Sequence, residues 1–249
     1  DRLVCASLLH DLGVSSTVEH RRLLHEADWD DRHAHCETGY CLLQPFAHLS
    51  LLAPAIRYHH TAWVDLPSHL CEEDAVDGNL IQLGDRVDAL LLQRRLENPL
   101  FHRDEIVESI VTLAGRELSA EVVQAFVAAA TREAFWIALV PRHVQSYLAD
   151  LVLNDWRITI DFPQFGHVAR LVSSIVDAKS HFTAAHSLGV AQLARHLGER
   201  VGLSAEVLAG VEVAGLMHDV GKLCVPDEIV EKPGGLTPLE FSVMERHSF

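Results

Sequence analysis

The sequence has no apolar run approaching the roughly 18 residues that a membrane-spanning helix needs; the longest clean one is Ala134–Val140. No signal-peptide pattern opens it. Positive charge is scarce, with 20 Lys and Arg against 35 Asp and Glu, a formal net charge of −15. That balance counts against a duplex nucleic-acid binder, whose affinity comes mostly from neutralising phosphates with Lys and Arg. An anionic substrate would need local positive charge, which bound metal ions supply. Cys5, Cys36, Cys41, Cys71 and Cys224 are odd in number and never in CxxC spacing, so they read as reduced packing thiols of a cytoplasmic protein.

What is present is a folded composition: 249 residues, 49% hydrophobic and 22% charged, enough for one large or two ordinary domains. Histidine is in surplus at 17 residues, and it is the commonest transition-metal ligand. The chain opens without Met inside an amphipathic pattern and stops two residues after His247, which suggests a piece of a longer protein.

The texture is helical nearly throughout. In residues 186–201 the spacing puts Leu188, Val190/Ala191, Ala194, Leu197/Gly198 and Val201 on one inward stripe; in 205–218 it does so for Val207, Val211, Ala214, Leu216 and Met217. Ser119 reads as an N-cap, with Glu121 in the first turn that follows. Pro45, Pro54, Pro67, Pro99, Pro141 and Pro163 fall where helices are expected to end. Only Trp156–Ile160 alternates like a strand, as a short interdomain connection. Trp29, Trp63, Trp136 and Trp156 read as core or interdomain anchors, and Glu72-Glu73-Asp74 as a solvated loop. The fold class expected is all-α.

An internal repeat organises the chain. Ser7-Leu-Leu-His-Asp-Leu-Gly-Val14 recurs as Gly215-Leu-Met-His-Asp-Val-Gly-Lys222. Two copies of one domain type follow, the first over residues 1–150, a linker over 151–165 and the second over 166–249. His-Asp alone is weak, since random order gives about one such pair and the chain has two. Its shared setting, apolar residues before and Gly after, also suits a plain helix C-terminus with a Gly stop. The further polar residues favour a site. After His10-Asp11 come His35, His59-His60 and Asp85; around His218-Asp219 stand His186 and His247. Ionisable groups entering an apolar bundle are costly unless paired or metal-bound. Imidazoles and carboxylates from several helices suit Fe or Mn, and an adjacent His and Asp, about 100° apart on a helix, can approach two neighbouring ions. Such a pair of ions activates water and neutralises a phosphoryl group.

These residues resemble the HD superfamily of metal-dependent phosphohydrolases, and within it the HD-GYP family. The second copy is the nearer match: His186 in Phe182-Thr-Ala-Ala-His-Ser-Leu-Gly-Val190, His218-Asp219-Val-Gly-Lys222 as HDxGK, the loop Val225–Gly234, and Met244-Glu-Arg-His247. The first copy is similar but degraded: His10, Asp11, His35, His59, His60 and Asp85 match ligand positions in order, Val14 replaces the motif Lys, and His59–Pro67 is a worn HHExxDGxGYP. The family's HHExxDGxGYP segment and final Asp would lie beyond Phe249 in the second copy. Phe182 stands where some members carry a carboxylate for a third metal, so two ions are expected.

The resemblance implies tandem HD helical bundles, each incomplete here, and two divalent transition-metal ions (Fe or Mn). In the second copy His186, His218, Asp219 and His247 would be ligands, Asp219 bridging the ions and orienting water, and Lys222 binding the substrate phosphate and assisting catalysis. The activity implied is a bacterial, cytoplasmic phosphodiesterase opening cyclic di-GMP to pGpG and GMP. The alternatives are another cyclic dinucleotide or nucleotide as substrate, and a non-enzymatic tandem signalling module. The first copy is expected to be regulatory or to form a homodimer, and this stretch alone to be weak or inactive. His48, His69, His102, His143, His167, His181 and His196 have no repeat partner and read as surface or core residues; Lys232 reads as a solvated loop lysine.

Overall fold

The computed structural model describes residues 2–14, 33–46, 48–93, 98–140, 143–149, 160–178 and 186–248. Among them the secondary structure is helical, with one isolated β-bridge between Ala114 and Leu118 and no strand, so the fold is all-α as expected. No described helix is long and apolar enough to cross a membrane. The strand-like Trp156–Ile160 lies almost wholly outside the described residues, as do Trp29, Pro141, His181 and Phe182.

The chain divides into two compact units, one of Asp1–Leu12 with Arg21–Thr159, the other of Gly13–His20 with Ile160–Phe249. The first unit contains α1 (Arg2–Leu9), α2 (Ala34–Leu43), α3 (Ala53–Tyr58), α4 (Glu72–Gln93), α5 (Arg103–Val111), α6 (Ala120–Ala130), α7 (Glu133–Ala138) and a helical stretch over 143–149. Its core gathers Leu83, Val87 and Leu91 of α4 with Ile106, Ile110, Val122, Phe126 and Trp136. Trp136 is fully buried and donates its indole N–H to the Ala130 carbonyl at 2.8 Å, which satisfies its one polar atom. Ser119 caps α6 as expected, accepting from the Val122 N–H at 3.0 Å, with Glu121 in the first turn.

α4 carries the unit. Its end towards α1 differs from the expectation: Glu72, Glu73 and Asp74 form its first turn, where acidic groups suit the helix dipole. Arg2 of α1 pairs with Glu73 at 3.2 Å, with Asp77 at 3.1 Å and with Asp74. The ion pairs fasten α1, and the His10-Asp11 that follows it, to α4. Gly78 lets α4 close on α3, since a Cβ there would come 3.0 Å from the Ala55 carbonyl oxygen and 3.7 Å from the His59 nitrogen.

The second unit contains α8 (Phe162–Ala178), α9 (His186–Arg200), α10 (Ala205–Met217), α11 (Asp227–Val230) and α12 (Pro238–Met244), with 3₁₀ turns at Val220–Cys224 and Glu245–Ser248. α9 and α10 cross on small residues: a Cβ on Gly215 would lie 2.6 Å from the Ala191 Cα, and one on Gly198 would lie 2.8 Å from a Leu208 methyl. This contact keeps part of each expected stripe, Ala191 and Gly198 in α9 and Leu216 in α10, and leaves bulky members of both outside it. The buried face of α9 is Ser187, Ala191 and Gly198, while Leu197 and Val201 are exposed; in α10 Leu208, Gly215 and Leu216 are buried and Val207 is exposed. Periodicity weights bulky residues, whereas close helix approach selects small ones. Glu212 of α10 binds Arg195 of α9 at 2.9 Å and also Arg170 of α8, tying the three helices.

Prolines differ from the expectation too. Pro54 and Pro163 lie in the first turns of α3 and α8, and Pro99 opens the 3₁₀ turn Pro99–His102. The first turn has no intrahelical use for an N–H, so proline starts these elements.

Candidate metal centres

The two His-Asp dipeptides occupy one local geometry. Neither lies within a helix, contrary to the expectation from helical spacing: each follows the last turn, after Leu9 of α1 and after Met217 of α10. In both copies the histidine Nδ1 faces the carbonyl three residues back, His10 to Ser7 at 2.8 Å and His218 to Gly215 at 2.8 Å. In both, Nε2 then faces the neighbouring carboxylate, at 3.3 Å for His10–Asp11 and 3.2 Å for His218–Asp219.

The same device recurs at two other histidines. His59 Nδ1 lies 2.6 Å from the Ile56 carbonyl, and His247 Nδ1 lies 2.6 Å from the Met244 carbonyl. A carbonyl accepts only from a protonated nitrogen, so the proton is assigned to Nδ1 and the lone pair to Nε2. This is the outer-shell arrangement that fixes imidazoles as metal ligands.

In the first unit His10, Asp11, His35, His59 and His60 converge. Asp11 Oδ1 lies 3.4 Å from His35 Nε2 and 3.9 Å from His59 Nε2. The His59 and His60 rings are 4.2 Å apart, and the His35 ring is 5.1 Å from His60. His35 and His59 are fully buried. Burial drives His59 down to about 3, so its imidazole is neutral near pH 7. Burial also opposes charge on His10, but hydrogen bonding and charge from Asp11 outweigh it and raise His10. Asp11 is lowered: burial opposes its charge and is outweighed by His10, His35 and His59. Burial, then the Asp11 charge, pushes Asp85 of α4 up to about 6. Carboxylates from different elements converging on one half-buried place are relieved by a divalent cation.

In the second unit His186, His218 and Asp219 offer donor atoms all within 4.8 Å of one another. The His186 and His218 rings lie 5.3 Å apart. His247 Nε2 is 3.9 Å from Asp219 Oδ1, and the Lys222 ammonium is 2.6 Å from Asp219 Oδ2. Asp219 is 6% exposed, which places this carboxylate at the centre with a histidine on each side and a lysine beside it. The donor set, imidazoles around a shared carboxylate, fits a first-row transition ion in either unit.

Two contributions escaped the sequence reading. Cys36, taken there as a packing thiol, is 1% exposed, and its Sγ lies 3.6 Å from His35 Nε2. Asp177 of α8, 7% exposed, accepts from the Ser187 N–H at 3.2 Å and from its hydroxyl at 2.8 Å. It thereby fastens the start of α9, where His186 stands. The signal for Asp177 is a lone acidic residue at the apolar end of α8. Lys232, read as solvated, binds Glu240 at 2.5 Å.

Comparison with known proteins agrees with this geometry. The HD domain model matches residues 1–90 and 183–249, spans that include every candidate ligand. The chain is 32% identical over 254 residues to 3'3'-cGAMP-specific phosphodiesterase 1 of Vibrio cholerae, covering 97% of this chain and 57% of that protein. It is 28% identical over 198 residues to a cyclic di-GMP phosphodiesterase response regulator of Xanthomonas campestris, covering 71% of this chain and 51% of that protein. The chain thus spans about half the length of these curated relatives. A crystal structure of a cyclic GMP-AMP specific phosphodiesterase from V. cholerae shares the fold, with a TM-score of 0.61 at 19% identity over 99% of this chain and 67% of that one. Repeat, ligand geometry and family match converge: the chain belongs to the HD domain family, in its HD-GYP branch.

Proposed function

We propose that the protein carrying this chain is a metal-dependent cyclic dinucleotide phosphodiesterase, with its chemistry in the second unit. The observation that carries this reading is Asp219, buried between His218 and His247 and held by Lys222. His186, His218, Asp219 and His247 would hold the ions, for which Fe or Mn fits the imidazole and carboxylate donors. When bound, such ions lower the pKa of water and neutralise charge on the phosphoryl oxygens. Asp219 orients the attacking water through its carboxylate. Lys222 keeps a cation beside that carboxylate and contacts a substrate phosphate. Water adds to phosphorus, the P–O bond to one ribose breaks, and the leaving oxygen takes a proton, giving a linear dinucleotide.

The first copy of the repeat lacks this lysine, having Val14 at that position, so we assign that copy a regulatory or dimer-forming part. Two substrates compete. Cyclic di-GMP is the expectation from the HD-GYP resemblance. A 3'3'-linked GMP-AMP ring is favoured by a relative that matches 97% of the chain, both units included, and is named for that substrate. The test is turnover of each by the purified full protein, alone and in competition. A kcat/KM for cyclic GMP-AMP at least tenfold above that for cyclic di-GMP supports the second reading, the reverse ratio the first. No hydrolysis of either by metal-loaded protein contradicts both.

A further inference from the structure

We infer that Asp177 is a positioning residue of the second unit's metal centre, acting through Ser187 to set where His186 presents its imidazole. The inference rests on the reading of His186 as a metal ligand and adds to it a residue outside the ligand set.

The histidines of that centre are held in two ways. His218 and His247 are each turned by a carbonyl three residues back, from Gly215 and Met244. For His186 the corresponding residue, Thr183, lies outside the described residues, and a hold comes instead through the residue that follows. Ser187 is fully buried, and its backbone N–H, at 3.2 Å, and its hydroxyl, at 2.8 Å, both donate to the Asp177 carboxylate. Ser187 is the second residue of α9, so its N–H has no acceptor within the helix. An ordinary cap supplies that acceptor from the residue just before the helix. Ala185 has no side-chain oxygen to offer, and the acceptor comes from the far end of α8.

Asp177 is 7% exposed, and a carboxylate is buried at such a place only with its hydrogen bonds made there, so the pair admits one geometry. One turn further on, Ala191 seats on Gly215 of α10, where a Cβ would lie 2.6 Å from the Ala191 Cα. Gly215 also supplies the carbonyl that turns His218. α9 is therefore fixed at Ser187 against α8 and at Ala191 against α10. His186, itself exposed, is carried by these two contacts to a ring separation of 5.3 Å from His218. Without the carboxylate the first turn of α9 is released and His186 leaves the ion, while the contact of Ala191 with Gly215 keeps the helices packed.

The test is a double-mutant cycle on Mn(II) affinity, read from the electron paramagnetic resonance of the free ion. It uses the full protein carrying His10→Ala and Asp11→Ala, which silences the pair of the first copy. His186→Ala alone should weaken binding; if it does not, the ligand reading itself fails. Given that loss, Asp177→Ala should weaken binding by about 10- to 100-fold, the scale of an outer-shell partner, with helical content unchanged by circular dichroism. Joined to His186→Ala it should add nothing, because it acts through that imidazole. A merely structural role would lower affinity again in the His186→Ala background. Ser187→Ala removes the hydroxyl donor and keeps the backbone N–H; it should weaken binding by about 2- to 10-fold, which keeps the inference testable where Asp177→Ala does not fold. Unchanged affinity in Asp177→Ala or in Ser187→Ala, or losses that multiply in the double variant, would overturn it.

Discussion

Gly221 presses its backbone against that of His247: a Cβ at position 221 would lie 2.0 Å from the His247 carbonyl oxygen and 2.7 Å from its Cα. The glycine two residues after His218-Asp219 is therefore the surface on which another candidate ligand rests. The 3₁₀ turns Val220–Cys224 and Glu245–Ser248 pack together through this contact.

Gly221→Ala must push the His247 turn away, because the obstructing atoms are backbone. We expect metal affinity of the second unit to fall by about 10- to 100-fold, the scale of a disturbed outer shell. Helical content should stay unchanged by circular dichroism. Metal titration of the variant checks this, and unchanged affinity would separate the glycine from the site.

Lys222 and Asp219 make a charge pair at 2.6 Å beside the candidate ligands. Lys222→Met keeps the stem and removes the charge. Turnover by the full protein should drop by about 100-fold, the usual size for loss of one donor to developing charge. Metal content should change little, since Lys222 is not itself a ligand. Assay and metal analysis of the same preparation decide it: equal loss of both would make Lys222 a holder of Asp219 only.

The Lys232 ammonium and the Thr237 cap hold the Glu240 carboxyl down to about 2, below its usual 4.5. A carboxyl lowered by folding contributes stability above its unfolded pKa and loses it as pH falls. The Thr237–Glu240 capping box should therefore be intact above about pH 4.5 and weaken progressively towards pH 2. Carboxyl carbon NMR of Glu240 checks the midpoint. Lys232→Gln should move it up towards 4.5, and an unmoved midpoint would assign the shift to Thr237 alone.

Ser119 caps α6 next to the buried cluster around Ile106, Val122, Phe126 and Trp136. Ser119→Ala should cost about 1 kcal/mol in denaturant unfolding, with the slope unchanged. Trp136→Ala, which empties a fully buried indole site, should cost about 3–5 kcal/mol. The two together distinguish a local cap from a core anchor.

Much of the site could be read from the residues, because its chemistry is spelled in rare side chains at repeated spacing. The repeat offset located both His-Asp pairs, and His35, His59 and His60 do converge with the first of them. The helical fold was equally legible from periodicity. What was not legible depends on close approach. The α9 and α10 stripes hold at Ala191, Gly198 and Leu216 but fail at Leu188, Leu197, Val201 and Val207, because Gly215 closes on Ala191 and Gly198 on Leu208, an approach that leaves those bulky residues outside. Asp177 and Cys36 look ordinary in sequence; only the fold brings one to Ser187 and the other to His35. The helix-end setting of His-Asp was visible as an alternative to a metal site, and the structure makes the two compatible: the last carbonyls of the helix orient the imidazoles.

The most direct test of the account is cyclic dinucleotide turnover by the full protein, purified anaerobically and loaded with Mn or Fe, beside a variant carrying both His218→Ala and Asp219→Ala. The account predicts linear dinucleotide from the first and none from the second. Turnover that persists in the double variant would contradict the placement of the chemistry in the second unit.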